Sequence, residues 1–175
     1  MASSRVRKCE VLIAGGGPAG LVLACLLAMD GVDVVVLERR NQPRTHSRAI
    51  GLHPPALAVL NRIGLESSAL TEGTRVHAGT AYSRGRRLGA LSFEEAWPHR
   101  PFVLTLPQNR TEALLSQRLK QLAPGALQSG WELADFTERP THEGQTGLPI
   151  HATARSTVSD PYDSDVEMHW QAKIL

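Results

Sequence analysis

The chain has 175 residues, a mass of 19.0 kDa and a formal net charge of +2, from 19 basic and 17 acidic side chains. That length suits one domain, since domains run roughly 100–200 residues, and 42% apolar with 21% charged residues excludes a disordered polar chain. A charge so near balance, with aromatics at only 5%, excludes a basic face interleaved with stacking platforms and so argues against a nucleic-acid binder, although the pI is 8.8.

The residues 11–29 form a run of 19 without a charge, preceded by Arg5, Arg7 and Lys8. A run of that length could cross a bilayer. Gly15, Gly16, Gly17, Pro18 and Gly20 interrupt it and would leave backbone groups unpaired in lipid, so no membrane association is expected. The run divides instead into a short strand, Glu10–Ala14, a glycine turn and a buried helix, Pro18–Met29. Pro18 fits the first turn of that helix, and Gly31 lies just past its end. Val32–Leu37 is β-branched and apolar, which predicts a second buried strand. Strand, tight turn, helix and strand in this order make a βαβ unit.

Asn41–Ser47 is polar, contains Pro43 and reads as a loop. Pro54–Ile63 reads as a helix with proline in its first turn and Gly64 as terminator. Residues 76–106 look β-rich: Val76–Tyr82 and Leu88–Phe93 flank a turn at residues 83–87, and Phe102–Leu106 is a further strand. Asn109–Leu122 is amphipathic, with Leu114, Leu115, Leu119 and Leu122 at helical spacing. Asn109 is expected as its N-cap, with Glu112 completing a capping box. Pro124-Gly125 stops it, and Trp131–Thr137 is the next strand. From about residue 148 to 175, Ile150, Ala152 and Ala154, then Val166, Met168, Trp170, Ala172 and Ile174, alternate with polar residues. Period two on either side of a polar turn at residues 159–163 predicts a long hairpin. Its second arm runs to Leu175 without a turn, the pattern of an incomplete polypeptide.

Gly15-Gly16-Gly17-Pro18-Ala19-Gly20 satisfies G-x-G-x-x-G in the setting that gives it meaning, after a strand and opening a helix. Gly15 makes the tight turn. Gly17 lets a pyrophosphate approach the backbone, and Gly20 lets the helix pack close to the strand. The helix N–H groups and dipole then face the phosphate. Glu38 follows 18 residues after Gly20, at the end of the second strand. A carboxylate there accepts from a ribose 2′-OH and repels a 2′-phosphate, which favours FAD or NAD over NADP as the tightly held dinucleotide.

The segment from Cys9 to Arg39 resembles the FAD-binding start of the flavin-dependent aromatic hydroxylases, the group A flavoprotein monooxygenases related to p-hydroxybenzoate and phenol hydroxylases. Ser47-Arg48-Ala49-Ile50-Gly51-Leu52 is similar to that family's Arg-Ala-x-Gly-Leu segment. Leu106-Pro107-Gln108, followed by Thr111-Glu112, resembles its glutamine-led helix. The resemblance implies an α/β, Rossmann-like fold spanning residues 1–175, with a β-rich insertion near 76–106. It implies that Gly15, Gly17, Pro18, Ala19 and Gly20 cradle the pyrophosphate and that Glu38 holds the adenosine ribose. Arg39 would flank the adenosine, Arg48 would lie against the pyrophosphate or near the flavin ring, and Gln108 would reach the ribityl chain. Arg39 and Arg40 could equally belong to a solvated loop, and Gln108 could merely cap its helix. The implied reaction uses NAD(P)H and O₂ to hydroxylate a small aromatic, phenol-like substrate. The family's second FAD motif, an Asp-Gly pair after a strand like Val166–Leu175, does not occur after residue 125, and most of a substrate domain is missing as well. These departures imply a fragment inactive as an isolated chain. An NAD-dependent dehydrogenase and a non-catalytic remnant are the competing readings.

Other constellations are weak. Seven His residues show no H-x-x-x-H pair, G-x-S-x-G is missing, and Asp160, Asp163 and Asp165 lack the glycine and terminal glutamate of a calcium loop. Cys9 and Cys25 read as buried apolar thiols in a reducing compartment, and with no export signal the cytoplasm is expected. Composition leaves the oligomeric state open.

Overall fold

The computed structural model describes residues 6–43, 51–139, 147–158 and 166–175. The chain divides into two compact units, one of Met1–Pro43 with Leu115–Leu175 and one of Arg44–Leu114.

The first unit carries the βαβ element. β1 (Arg7–Lys8) leads into β2 (Val11–Ala14), then α1 (Pro18–Met29) and β3 (Val34–Glu38). β2 and β3 are parallel, with Val11 opposite Val34 and Ala14 opposite Leu37. The helix matches the sequence expectation at both ends. Proline starts it, and Gly31, at φ +77°, turns the chain out of it.

Side chains alternate across the parallel strands, so each strand has two covered faces. Leu12, Val35 and Leu37 join Cys9 in one core with Ile150, Ala152, Ala154, Met168, Trp170 and Ala172. Those partners come from an antiparallel layer. Its strands are β10 (Trp131–Glu138), β11 (Ile150–Ser156) and β12 (Glu167–Ala172), in the order β1-β12-β11-β10. β11 and β12 pair antiparallel, Ile150 with Ala172 and Ala154 with Met168, and form part of a meander with β10. Its expected turn at residues 159–163 lies outside the described residues. On the opposite face of β2, Ile13 meets the start of α1 at Gly20. Burying each of these large apolar side chains contributes roughly 1.5–3 kcal/mol.

α5 (Gln108–Leu122) runs into this unit from Leu115, and the Cys25 thiol of α1 donates to the Leu115 carbonyl at 3.6 Å. β9 (Leu127–Ser129) then adds to β3 as a third parallel strand. On the other side of β2, Ile174 makes a parallel bridge to Val11, and the Leu12 amide donates to the Ile174 carbonyl at 2.9 Å.

The second unit begins with β4 (Gly51–Leu52), α2 (Pro54–Ile63) and α3 (Glu66–Glu72). Gly64 closes α2 in the left-handed region at φ +83°. β5 (Thr74–Val76) and β4 flank β8 (Val103–Thr105) in an antiparallel sheet. Between β5 and β8 lie β6 (Ala78–Ser83), β7 (Arg86–Ser92) and the short α4 (Phe93–Ala96). The predicted five-residue turn is tighter than expected. Only Arg84 and Gly85 lie between the strands, at φ +48° and +76°, which is the backbone a two-residue hairpin requires.

The capping expectation for α5 fails. The helix starts one residue earlier, and the amides of Arg110 and Thr111 both donate to the Pro107 carbonyl, at 2.9 and 3.2 Å. Asn109 therefore sits inside the first turn, its Oδ1 buried without a hydrogen-bond partner. Glu112 accepts instead from Gln108 Nε2, at 2.8 Å.

Candidate functional site: the glycine loop and Glu38

The loop between β2 and α1 lies at the carboxyl ends of the parallel strands, where open α/β sheets bind their ligands. Gly15 has φ +108°, a conformation that side chains rarely adopt, and its amide donates to the Leu37 carbonyl at 2.8 Å. Gly20 packs directly beneath it. A Cβ on Gly20 would lie 2.1 Å from the Gly15 carbonyl oxygen and 3.3 Å from Ile13 Cγ2. Helix and turn can approach this closely only without that methyl.

Gly17 is the N-cap of α1, in extended backbone at φ −75° and ψ 179°, and has no side chain to cap the helix. A Cβ built on it would meet nothing within 4 Å. The loop is thus tightly packed at Gly20 and open at Gly17. Pro18 contributes no N–H, while Gly17, Ala19 and Gly20 carry first-turn amides that no preceding helical carbonyl can reach. These donors sit at the positive end of a 12-residue helix, an arrangement that favours negative charge.

Glu38 ends β3 beside this loop. Its Oε2 accepts from the Gly16 amide at 2.8 Å. Its Oε1 accepts from the Arg40 amide at 2.9 Å and from Arg40 Nε at 2.7 Å, and Arg40 Nη2 reaches Oε2 at 3.1 Å. Burial pushes the Glu38 carboxyl upward. The hydrogen bonds from Arg40 and the Gly16 amide outweigh that, so the group is held below its ordinary range and stays ionised.

Sequence reasoning did not single out Arg40. The sequence held no signal for it, because β3 ends at Glu38 and strand alternation does not extend to Arg39 and Arg40. Arg39 turns the other way. Its side chain is largely exposed and lies 3.8 Å from Glu132 on β10. Arg48 falls outside the described residues. Gln108 lies in the first turn of α5, in the second unit, bonded to Glu112.

Comparison with known proteins fixes the family. A family model described as FAD binding domain matches residues 8–162. The chain belongs to this FAD-binding family. It is 40% identical over 130 residues to 6-methylpretetramide 4-monooxygenase of Streptomyces rimosus, a match covering 72% of this chain and 23% of that protein. It is 34% identical over 127 residues to an uncharacterized aromatic compound monooxygenase of Bacillus subtilis, covering 73% and 25%. The chain thus spans about a quarter of the length of these relatives. Among solved structures, p-nitrophenol 4-monooxygenase of Pseudomonas putida superposes with a TM-score of 0.79 at 22% identity, over 97% of this chain and 40% of that one. The anhydrotetracycline hydroxylase OxyS of Streptomyces rimosus gives 0.74 at 27% identity, over 95% and 31%. The fold is the Rossmann-like α/β fold of FAD-dependent monooxygenases, and the cofactor class is FAD. The competing NAD-dehydrogenase reading is set aside by this membership. Among the described residues, no helix is long and apolar enough to cross a membrane, and no group of three or more His, Cys, Asp or Glu side chains could hold a metal ion.

Proposed function

We propose that this chain is the adenosine- and pyrophosphate-binding part of an NAD(P)H-dependent flavin monooxygenase that hydroxylates a small aromatic substrate. The observation that carries the reading is the asymmetry of the glycine loop, closed to a methyl at Gly20 and open at Gly17. The open side gives a pyrophosphate access to first-turn amides and to the helix dipole. Glu38 is ionised beside the loop, and its proposed role is to accept from a ribose hydroxyl and to repel a 2′-phosphate. Arg48 and Gln108 are proposed to meet the rest of the cofactor, and Arg39 the adenosine surroundings.

FAD held by this loop and Glu38 would supply the redox chemistry, with NAD(P)H as electron donor and O₂ as the source of one oxygen atom for the ring, the other leaving as water. The part of these residues is to bind and orient the cofactor. In this reading these residues bind FAD, and the monooxygenases they resemble are chains about three times as long.

The test is the visible spectrum of the purified chain after incubation with FAD and desalting. Flavin bands that survive desalting, and that release FAD on denaturation, support the reading. A colourless folded protein that takes up NADH but not FAD overturns it.

A further inference from the structure

Glu38 offers four lone-pair positions on two oxygens, and all four are filled. Two are taken by backbone amides, those of Gly16 and Arg40. The other two are taken by the Arg40 guanidinium, Nε on Oε1 at 2.7 Å and Nη2 on Oε2 at 3.1 Å. This is a two-pronged, charge-assisted pair, shielded enough to count: the side chains are only 24% and 12% exposed for Arg40 and Glu38. The backbone donors are fixed by the loop and the strand end. The guanidinium is the one of these donors carried on a side chain, whose torsions can turn.

We propose that Arg40 is a positioning and specificity-determining residue for the dinucleotide: its guanidinium occupies the carboxylate positions that the adenosine ribose requires, so the Arg40–Glu38 fork and the ribose 2′-OH bond exclude each other. Arg40 keeps Glu38 ionised and turned toward Gly16 before a ligand arrives. A ribose with a 2′-OH must displace it, and a ribose without one need not. The apparent affinity for a 2′-OH ligand is therefore reduced by the fraction of chains in which Glu38 is open. The proposal rests on the FAD reading and adds a named competitor at its ribose end.

The experiment is calorimetric titration of the full chain with ADP and with 2′-deoxy-ADP, for the wild type, Arg40→Ala, Arg40→Met and Glu38→Gln. Arg40→Met keeps the alkyl stem in place and serves if Arg40→Ala fails to fold. Vacating the carboxylate should tighten ADP by about tenfold, as when a one-in-ten open fraction becomes fully open. The affinity for 2′-deoxy-ADP should stay constant, so preference for the 2′-OH rises by the same factor. Glu38→Gln should lower that preference, because the neutral amide keeps one acceptor oxygen and loses the charge, and adding Arg40→Ala to it should raise the preference much less than in the wild type. An unchanged ADP to 2′-deoxy-ADP ratio, or equal weakening of both ligands, overturns the role of Arg40 and leaves the FAD reading standing. If the wild type binds neither ADP nor FAD, the dinucleotide reading falls and takes this proposal with it.

Discussion

Gly20 sits so close over Gly15 that a single added carbon would lie 2.1 Å from the Gly15 carbonyl oxygen. The contact is backbone against backbone, so no side-chain rotation can relieve it. Gly20→Ala must therefore lift the start of α1 away from β2. Overpacking of this kind costs about 1–3 kcal/mol. Thermal unfolding should show a drop in Tm of several degrees, and FAD affinity should fall with it because the first-turn amides move.

The two thiols should be inert in the folded chain. Burial, reinforced by the Asp33 charge, pushes Cys9 up to about 12, and burial pushes Cys25 up to about 11 against a smaller opposing effect of Arg118. At pH 8 a thiol reagent should label neither, and both should react once denaturant is added. The sign for stability follows. A thiol that stays protonated in the fold but ionises in the unfolded chain contributes fully at neutral pH. That contribution is lost as pH rises past the ordinary value of 9.0 toward the folded values. Fast labelling of either native thiol would show that the core around β2 and α1 opens.

Much of the first unit was readable because short-range chemistry dictates it. The glycine hexapeptide, Pro18 and the β-branched run before Glu38 each require the local backbone they adopt. The alternation from Ile150 to Ala172 marked the two strands, and the observed register of β11 on β12 keeps their apolar side chains on one face. What escaped depended on partners distant in sequence. β9 has three residues and exists because Leu127 pairs with Val36 of β3. α3 buries only Ala69, too little for a periodic signal. Asn109 has the right chemistry for a cap, but the Pro107 carbonyl starts the helix first. At the site, the glycines and Glu38 were legible from spacing. The grip of Arg40 on Glu38 was not, because spacing does not say which of two adjacent arginines turns inward.

Glu38 also predicts an acid limit. Its folded value lies below the ordinary carboxylate value of 4.5, so its stabilising bonds are present above that value and are lost as pH falls through the lowered one. The Tm difference between wild type and Glu38→Gln should be constant from about pH 7 to pH 5 and close at lower pH, where the protonated acid resembles the amide. A difference already shrinking near neutral pH would mean that Glu38 is not held by Arg40 and Gly16.

The most direct measurement is an equilibrium titration of FAD against the wild-type chain and Gly17→Val, followed by flavin fluorescence, with the Tm of both proteins recorded. A Cβ on Gly17 meets no protein atom within 4 Å, and its backbone is extended, so the variant should fold with nearly the wild-type Tm. Its branched side chain would stand where the pyrophosphate approaches, and FAD affinity should fall by at least about a hundredfold, the loss of roughly two charge-assisted hydrogen bonds. Wild-type affinity retained in a folded Gly17→Val chain would contradict the assignment of this loop.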